Sequence, residues 1–296
     1  MIWLIGCKGM LGTEIARQLT ENKIEFVGTD IDVDITNPKA MAEFVKDKSI
    51  SYIINCSAYT AVDKAESDTE FAKKLNEDGP GNIANLANQI HAKMIHISTD
   101  YVFDGTGDTP RTEDMSVAPI GVYGVTKAAG EAAVRQNLKE YYILRTAWLY
   151  GWAGKNFVYT MIRAMNTHEA VKVVNDQKGT PTFAGDLADV IIKIMNKETV
   201  PYGIYHCTDL GEITWWDFTN EIKKQGIEVG WINETGKKCT VNPCTTEEYP
   251  TPAKRPAYSV LSKEKIQKTL GITLPDWKES LNVFLKSTLF DKSRIE

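Results

Sequence analysis

A tyrosine and a lysine, Tyr123 and Lys127, lie four residues apart in the segment VYGVTKAAGE. Positions i and i+4 share one face of an α-helix, so the two side chains would project into the same space. An ammonium beside a phenol favours the phenolate, so the lysine is expected to lower the tyrosine pKa from its ordinary value of about 10. A phenol tuned in this way can exchange a proton near neutral pH, as reduction of a ketone requires.

A glycine-rich segment, GCKGMLG, places Gly6, Gly9 and Gly12 between an apolar run and a helical pattern at the start of the chain. Glycines permit a tight turn and a close approach of the backbone to a pyrophosphate. Amides at the start of the following helix, which include those of Met10 and Leu11, would face the negative charge. The spacing differs from GxGxxG, but its position after the first apolar run predicts a dinucleotide site.

Asp30 ends the second apolar run, 18 residues after Gly12, close to the separation of about 20 expected for a carboxylate that binds a ribose diol. A carboxylate there repels the 2′-phosphate of NADPH, so Asp30 favours NADH, while Lys8 in the glycine loop leaves NADPH open. Two short segments are predicted to line the adenine and the middle of the cofactor, respectively: Asp34, Ile35 and Thr36, and Ala58, Tyr59 and Thr60.

The elements that position these residues alternate between apolar runs and amphipathic stretches. Strands are predicted over residues 2–6, 24–30, 52–58, 93–98 and 141–150, and helices over 10–20, 39–46, 69–89 and 122–137. Alternating strands and helices predict a Rossmann-like, doubly wound parallel α/β sheet whose ligand crevice lies at the carboxyl ends of the strands.

After about residue 150 the pattern is less regular. Strands are predicted over residues 170–176 and 203–209, and helices over 185–196, 215–225 and 278–287. We expect an NAD(P)-binding domain over residues 1–150 and a smaller α/β substrate-binding domain over residues 151–296, with some later segments crossing back to the main sheet.

Composition excludes several classes of protein. Hydrophobic residues make up 43% of the 296 residues and the formal net charge is −5, which argues against general nucleic-acid binding. No run approaches the roughly 18 apolar residues of a membrane span, and the segment MIWLIGCKGM does not have the pattern of a signal peptide. Five irregularly spaced cysteines favour a reducing cytoplasm, and we expect no metal site.

Six segments together resemble the extended short-chain dehydrogenase/reductase family, and within it the reductases of dTDP-deoxysugar synthesis. They occur in the family's order: AYTAVDKAE (58–66), STDYVFDGTGD (98–108), VYGVTKAAGE (122–131), RTAWLYG (145–151), NDQKGTPT (175–182) and YPTPAKRP (249–256). The resemblance implies a cytoplasmic, NAD(P)H-dependent oxidoreductase of cell-surface polysaccharide synthesis. Its implied reaction is reduction of the 4-keto group of dTDP-4-dehydro-6-deoxy-L-mannose.

The resemblance also implies roles for individual residues. Tyr123 would protonate the developing alkoxide, Lys127 would bind the nicotinamide ribose, and the Thr99 hydroxyl would bond to the substrate oxygen. Arg255 would meet the substrate pyrophosphate. Further substrate contacts are implied for Asp100, Trp148, Asn175, Gln177 and Thr182.

One feature departs from the family's pattern. Some members form dimers around magnesium held by glutamates from three elements. Glu14 matches the first position, but the second is Asp186 and the C-terminal segment VFLKSTLF carries lysine. Because magnesium requires oxygen ligands, we expect no bound magnesium and a monomer or a weak homodimer.

Two alternatives remain open from the sequence. An extended-family epimerase or dehydratase would retain its NAD through the catalytic cycle, but the segment Thr99–Tyr101 lacks the Asp–Glu pair expected of a dehydratase. A non-catalytic, NADP-binding regulatory subunit would keep the fold alone. The presence of Tyr123, Lys127 and Thr99 favours an enzyme.

Overall fold

A six-stranded parallel sheet forms the centre of the computed structural model, which describes residues 1–295. The strands in this part of the chain are β1 (Ile2–Ile5), β2 (Phe26–Thr29), β3 (Tyr52–Asn55), β4 (Lys93–Thr99), β5 (Tyr141–Thr146), β6 (Leu149–Tyr150), β7 (Ala170–Val174), β8 (Lys178–Gly179), β9 (Thr182–Phe183), β10 (Gly203–His206), β11 (Ile213–Thr214) and β12 (Thr240–Cys244). The order in the central sheet is β10-β5-β4-β3-β1-β2. Because the order reverses beside β1, a crevice is expected between the ends of β1 and β3.

Helices cover both faces of this sheet. They are α1 (Met10–Glu21), α2 (Pro38–Val45), α3 (Val62–Ala65), α4 (Thr69–Lys73), α5 (Gly79–Gln89), α6 (Val122–Asn137), α7 (Phe157–Thr167), α8 (Ala184–Asn196), α9 (Trp215–Glu228), α10 (Glu234–Lys238), α11 (Glu264–Leu270) and α12 (Trp277–Lys286). One face carries α1 and α8, and the other carries α2, α5 and α6. The doubly wound α/β fold predicted from the sequence is confirmed.

Strand β1 illustrates why the central strands read as continuous apolar runs. Ile2 and Leu4 pack into the core beneath α1 and α8, whereas Trp3 and Ile5 pack into the core beneath α2 and α5. Successive side chains of a strand point to opposite faces. A strand that is buried on both faces therefore needs an apolar residue at every position.

Two predicted elements are interrupted in the structure. The strand predicted over residues 141–150 is wrong, because the chain breaks between β5 and β6, where Trp148 has a positive φ of 48°. The helix predicted over residues 69–89 contains a π-helical turn at Lys74–Asp78 between α4 and α5. Both interruptions are fixed by hydrogen bonds to residues distant in sequence, which local periodicity does not encode.

Residues beyond position 150 contribute to two layers. Strand β10 pairs with β5, and α8 packs against α1, so these segments extend the central layer. A separate aromatic cluster around Tyr150, Phe218 and Phe284 joins α7, α9 and α12. No helix described between residues 1 and 295 is both long and apolar enough to cross a membrane.

Candidate functional site

A cavity of about 970 Å³ lies at the carboxyl ends of the central strands, where the strand order predicts a ligand crevice. Its walls come from the glycine loop after β1, the ends of β2 to β5, and helix α6. Most of the residues that the sequence analysis singled out line it: Gly6, Gly9, Met10, Leu11, Gly12, Asp30, Asp34, Ile35, Ala58, Thr60, Thr99, Asp100, Tyr123, Lys127 and Trp148. The predicted dinucleotide residues and the tyrosine–lysine pair therefore face one space.

The glycine loop packs tightly onto the start of α1. A Cβ atom on Gly12 would lie 2.0 Å from the carbonyl oxygen of Gly6, so a larger residue there would displace the loop. The Asp30 carboxylate accepts hydrogen bonds from the backbone N–H groups of Lys8 (3.1 Å) and Ile31 (3.0 Å). This carboxylate is consequently fixed beside the loop, facing the cavity.

Helix α6 carries the tyrosine and the lysine into the cavity. Its first N–H group, that of Val122, donates to the carboxylate of Glu66 at 2.9 Å, which holds the start of the helix against the segment after β3. Lys127 is buried, with 2% of its surface exposed, and its ammonium donates a hydrogen bond to the carbonyl oxygen of Ile97 at 2.7 Å. The predicted helical spacing is thus confirmed.

The electrostatics of Tyr123 differ from the sequence-based expectation. Burial raises the pKa of the Tyr123 phenol above its usual range, the Asp100 carboxylate raises it further, and the Thr99 hydroxyl opposes the change. The prediction that Lys127 lowers this pKa is wrong, because desolvation of the phenolate dominates. Tyr123 therefore keeps its proton at neutral pH.

Burial has the opposite consequence for the lysine. It lowers the pKa of Lys127 to about 8, and the nearby Glu131 and Cys56 oppose the change. A cation in a low-dielectric site loses hydration, so its charged form becomes less favourable. Lys127 is therefore charged at neutral pH and loses its charge within the mildly alkaline range.

Thr99 and Asp100 form a second polar group at the end of β4. The Thr99 hydroxyl donates to Oδ1 of Asp100 at 2.9 Å and accepts from the N–H group of Tyr101 at 3.2 Å. Burial raises the pKa of Asp100 to about 6, and its Oδ2 atom has no hydrogen-bond partner among residues 1–295. Hydrogen bonding from the side chains of Thr99 and Ser259 and from nearby backbone N–H groups opposes part of this rise in the Asp100 pKa.

Five predicted site residues do not line the cavity. Tyr59 is buried, with its phenol donating to Asp68, and Thr182 donates to the carbonyl oxygen of Ala147 at 2.7 Å. Gln177 donates to Thr246 at 3.0 Å. The remaining two are Asn175 and Arg255.

The predicted pyrophosphate ligand, Arg255, is engaged by an acidic side chain. Its guanidinium forms a 2.8 Å ion pair with Asp63 of α3 and approaches the Tyr101 hydroxyl at 3.4 Å. The Tyr101 ring in turn packs edge-on against Tyr123, with ring centroids 5.5 Å apart. Arg255 thus connects the C-terminal segment to the neighbourhood of the tyrosine.

Asn76 is a buried residue behind the cavity wall that was not identified from the sequence. It lies in the π-helical turn, where its side chain accepts from the N–H group of Tyr59 (2.8 Å) and donates to the carbonyl oxygen of Tyr59 (3.1 Å) and the hydroxyl of Thr126 (3.2 Å). π-helical turns are frequent at functional sites. Asn76 therefore joins the loop after β3 to α6. The sequence around it contains no motif that predicts this role.

A buried ion pair lies one turn beyond Lys127. Glu131 and Arg145 form two hydrogen bonds, of 2.8 and 2.7 Å, with side chains that are 4% and 2% exposed. The Ser98 hydroxyl also donates to Glu131, at 2.5 Å. An arginine inside the apolar run YYILRTAWLY was the signal for this pair, since buried charges need partners.

The two acidic residues weighed as magnesium ligands are engaged within the chain. Glu14 pairs with Arg17 at 2.6 Å, and Asp186 accepts a hydrogen bond from Ser280 at 2.6 Å. Within residues 1–295 there is no group of three or more His, Cys, Asp or Glu side chains that could hold a metal ion.

Comparison with known proteins identifies relatives of the whole chain. A family model described as "RmlD substrate binding domain" matches residues 1–290. A dTDP-4-dehydrorhamnose reductase of Escherichia coli K12 is 41% identical over 303 residues, which cover 97% of this chain and 99% of that protein.

Two crystal structures of dTDP-4-dehydrorhamnose reductases have the same fold. One, from Clostridium acetobutylicum, is 46% identical with a TM-score of 0.89 and covers 96% of this chain and 98% of its own. Another, from Bacillus anthracis in complex with NADP, is 35% identical with a TM-score of 0.87, and the match covers 96% of this chain and 97% of that one. Since these similarities extend over nearly the full length, the chain belongs to the dTDP-4-dehydrorhamnose reductase family.

Proposed function

We propose that the chain is an NAD(P)H-dependent reductase that converts the 4-keto group of dTDP-4-dehydro-6-deoxy-L-mannose to the alcohol of dTDP-L-rhamnose. The observation that carries the proposal is a single cavity shared by the glycine loop, Tyr123, Lys127 and Thr99. Membership of the family supplies the sugar nucleotide, since its relatives carry that reductase name.

The protein's part in the reaction is to supply a proton and to stabilise charge. When bound, the reduced nicotinamide supplies the hydride. Tyr123 holds its proton because burial raises its pKa, so it acts as the proton donor to the developing alkoxide. The Thr99 hydroxyl would bond to the same oxygen, and the Lys127 ammonium would hold the nicotinamide ribose and keep positive charge nearby.

The residues that would hold the cofactor fit a dinucleotide. The glycine loop offers a close backbone approach and the start of α1 offers amides to the pyrophosphate. The Asp30 carboxylate stands at the edge of the loop, where it would accept the ribose hydroxyls and repel a 2′-phosphate. We therefore propose NADH as the preferred donor, with NADPH as the weaker one.

Replacing Asp30 with alanine should reverse this preference. We expect wild-type kcat/KM to be higher for NADH, and the NADH/NADPH ratio to fall by about tenfold or more in Asp30→Ala, because each lost or relieved contact changes binding by about 1–3 kcal/mol. Steady-state kinetics with both cofactors measures the ratio. Asp32→Ala, a neighbouring acid absent from the cavity wall, is the control. An unchanged ratio in Asp30→Ala would contradict the assignment.

Reduction of the sugar nucleotide tests the function directly. The purified protein is mixed with dTDP-4-dehydro-6-deoxy-L-mannose and either NADH or NADPH, and absorbance is followed at the reduced-nicotinamide band. We expect loss of absorbance that depends on the sugar nucleotide, with dTDP-L-rhamnose as the product. No oxidation with either cofactor would overturn the proposal.

Activity should decline in mildly alkaline solution. The Lys127 ammonium is required, and its pKa of about 8 lies below the ordinary lysine value, so the charged fraction falls as pH rises through that value. Tyr123 stays protonated throughout, and Asp100, with a pKa of about 6, titrates on the acid side. We expect kcat/KM to fall by about tenfold per pH unit well above the midpoint. If kcat/KM stayed constant up to about pH 10, where an ordinary lysine loses its proton, Lys127 would not have this role.

On the substrate side, we propose that Thr99, Asp100 and Trp148 contact the sugar, since they line the cavity next to Tyr123. Asn175, Gln177, Thr182 and Arg255 would act from the surrounding segments. Among residues 151–295, Lys155 is the one that lines the cavity, so the later predicted residues would act from behind its wall. The engagement of Glu14 and Asp186 within the chain supports a monomer or a weak homodimer.

A further inference from the structure

Trp148 adopts a backbone conformation that non-glycine residues rarely take. Its φ is 48°, and it lies at the break between β5 and β6, on the wall of the cavity. Tryptophan is bulky, so a left-handed backbone at this position persists only where the surroundings enforce it. Such enforced conformations cluster at functional sites, where they aim a side chain.

Three contacts fix the Trp148 backbone and ring. Thr182 brackets the break, because its hydroxyl donates to the carbonyl oxygen of Ala147 (2.7 Å) and its N–H group donates to that of Trp148 (3.3 Å). The Trp215 ring stacks on the Trp148 ring, with centroids 3.6 Å apart and planes 13° apart. A Cβ atom on Gly179 would lie 2.6 Å from the Trp148 ring, so a glycine is needed there.

Trp215 is itself held from two sides. It is the first residue of α9 and lies within a capping box in which Thr214 and Asp217, on either side of it, exchange hydrogen bonds between side chain and backbone. The Phe157 ring packs against Trp215 with a centroid distance of 4.5 Å. Trp215 does not line the cavity, so its effect on a ligand must pass through Trp148.

We propose that Trp215 is a positioning residue that holds the Trp148 indole as a fixed apolar wall for the deoxyhexose of the sugar nucleotide. The proposal rests on the proposed function. The Trp215 ring covers one face of the Trp148 ring, so the rest of the Trp148 ring is held in one orientation on the cavity wall. A deoxyhexose carries C–H groups and a methyl group that pack against such a surface, and loss of rigidity there would weaken sugar binding without changing the dinucleotide site.

The adjacent residue provides a matched control. Trp216 follows Trp215 on α9, but its indole N–H donates to the carbonyl oxygen of Val241 at 3.0 Å, away from Trp148. Trp215→Leu and Trp216→Leu therefore remove the same ring from neighbouring positions of one helix. Gly179→Ala is a second route, because the added Cβ atom would displace the Trp148 ring from its stack while the Trp215 side chain is retained.

The experiment compares the three variants with the wild type by steady-state kinetics, near-ultraviolet circular dichroism and binding of dTDP. In Trp215→Leu we expect the signal of the stacked indoles to disappear and KM for the sugar nucleotide to rise by about tenfold. KM for NADH and the affinity for dTDP, which lacks the sugar, should stay within about twofold. Trp216→Leu should keep both the stack signal and the sugar-nucleotide KM.

Different failures have different meanings. Wild-type protein without reductase activity would overturn the proposed function, whatever the variants do. Active wild type with an unchanged sugar-nucleotide KM in Trp215→Leu, or with equal losses for both substrates, would overturn the positioning role alone. If Trp215→Leu does not fold, Gly179→Ala decides by the same KM comparison.

Discussion

Replacing Tyr123 with phenylalanine should lower kcat by about 10²–10⁴-fold, the range that a positioned general acid contributes. The variant loses the hydroxyl and keeps the ring, so the edge-on packing against Tyr101 persists. Burial raises the pKa of the Tyr123 phenol, so the proton that the alkoxide needs is present on the wild-type residue at neutral pH. The loss should therefore appear in the chemical step.

Two measurements separate this loss from damage to the fold. NADH binding to Tyr123→Phe, followed by fluorescence, should match the wild type within about twofold, because the glycine loop and Asp30 are untouched. Tyr202→Phe, at an exposed tyrosine outside the cavity, is the matched control and should keep normal turnover. Near-normal kcat in Tyr123→Phe would mean that another group protonates the product.

The fold was predictable because burial on both sides of a parallel sheet leaves a simple pattern. Every residue of β1 is buried and apolar, and helix α6 coincides with the predicted 122–137. The breaks were not predictable. At Trp148, Thr182 donates hydrogen bonds to the backbone carbonyl oxygens of Ala147 and Trp148. In the π-helical turn, the side chain of Asn76 bonds to the backbone of Tyr59. Both partners are distant in sequence, so local periodicity does not reveal them.

In the site too, the sequence predicted which residues come together but not the effects of their surroundings. Spacing predicted that Tyr123 and Lys127 share one helix face, and the position of the glycine loop after the first apolar run predicted a dinucleotide site. The cavity confirms that these residues share one space. The direction of the Tyr123 pKa was wrong, since a sequence carries no measure of desolvation. Asn175, Gln177 and Arg255 were named by resemblance, and none of the three lines the cavity.

Opposite pKa changes at Tyr123 and Lys127 have one physical cause. Burial penalises the charged form of each group, so it raises the pKa of the phenol and lowers that of the ammonium. The phenol thereby keeps the proton that reduction consumes. The ammonium keeps its charge near neutral pH because the carboxylate of Glu131, one helical turn away, opposes the effect of burial.

Arg145→Met should lower the free energy of unfolding by about 3–5 kcal/mol, because it leaves the Glu131 carboxylate buried without its partner. The pair is 2.7 Å apart at its closer contact, and both side chains are almost fully buried. Domains are stable by only about 5–15 kcal/mol, so this loss is a large fraction of the total. Urea unfolding followed by circular dichroism measures it.

A double replacement distinguishes the cost of an unpaired charge from a loss of packing. Glu131→Leu with Arg145→Met removes both charges, and replacing a buried pair with apolar residues is often nearly neutral, so the double variant should be more stable than Arg145→Met alone. Equal stability of the two would attribute the loss to packing.

The double variant should still be impaired in reduction, because without the Glu131 carboxylate the pKa of Lys127 falls further below its ordinary value. Its alkaline decline in kcat/KM should therefore move to lower pH than in the wild type, and an unmoved profile would show that Glu131 does not set the charge of Lys127.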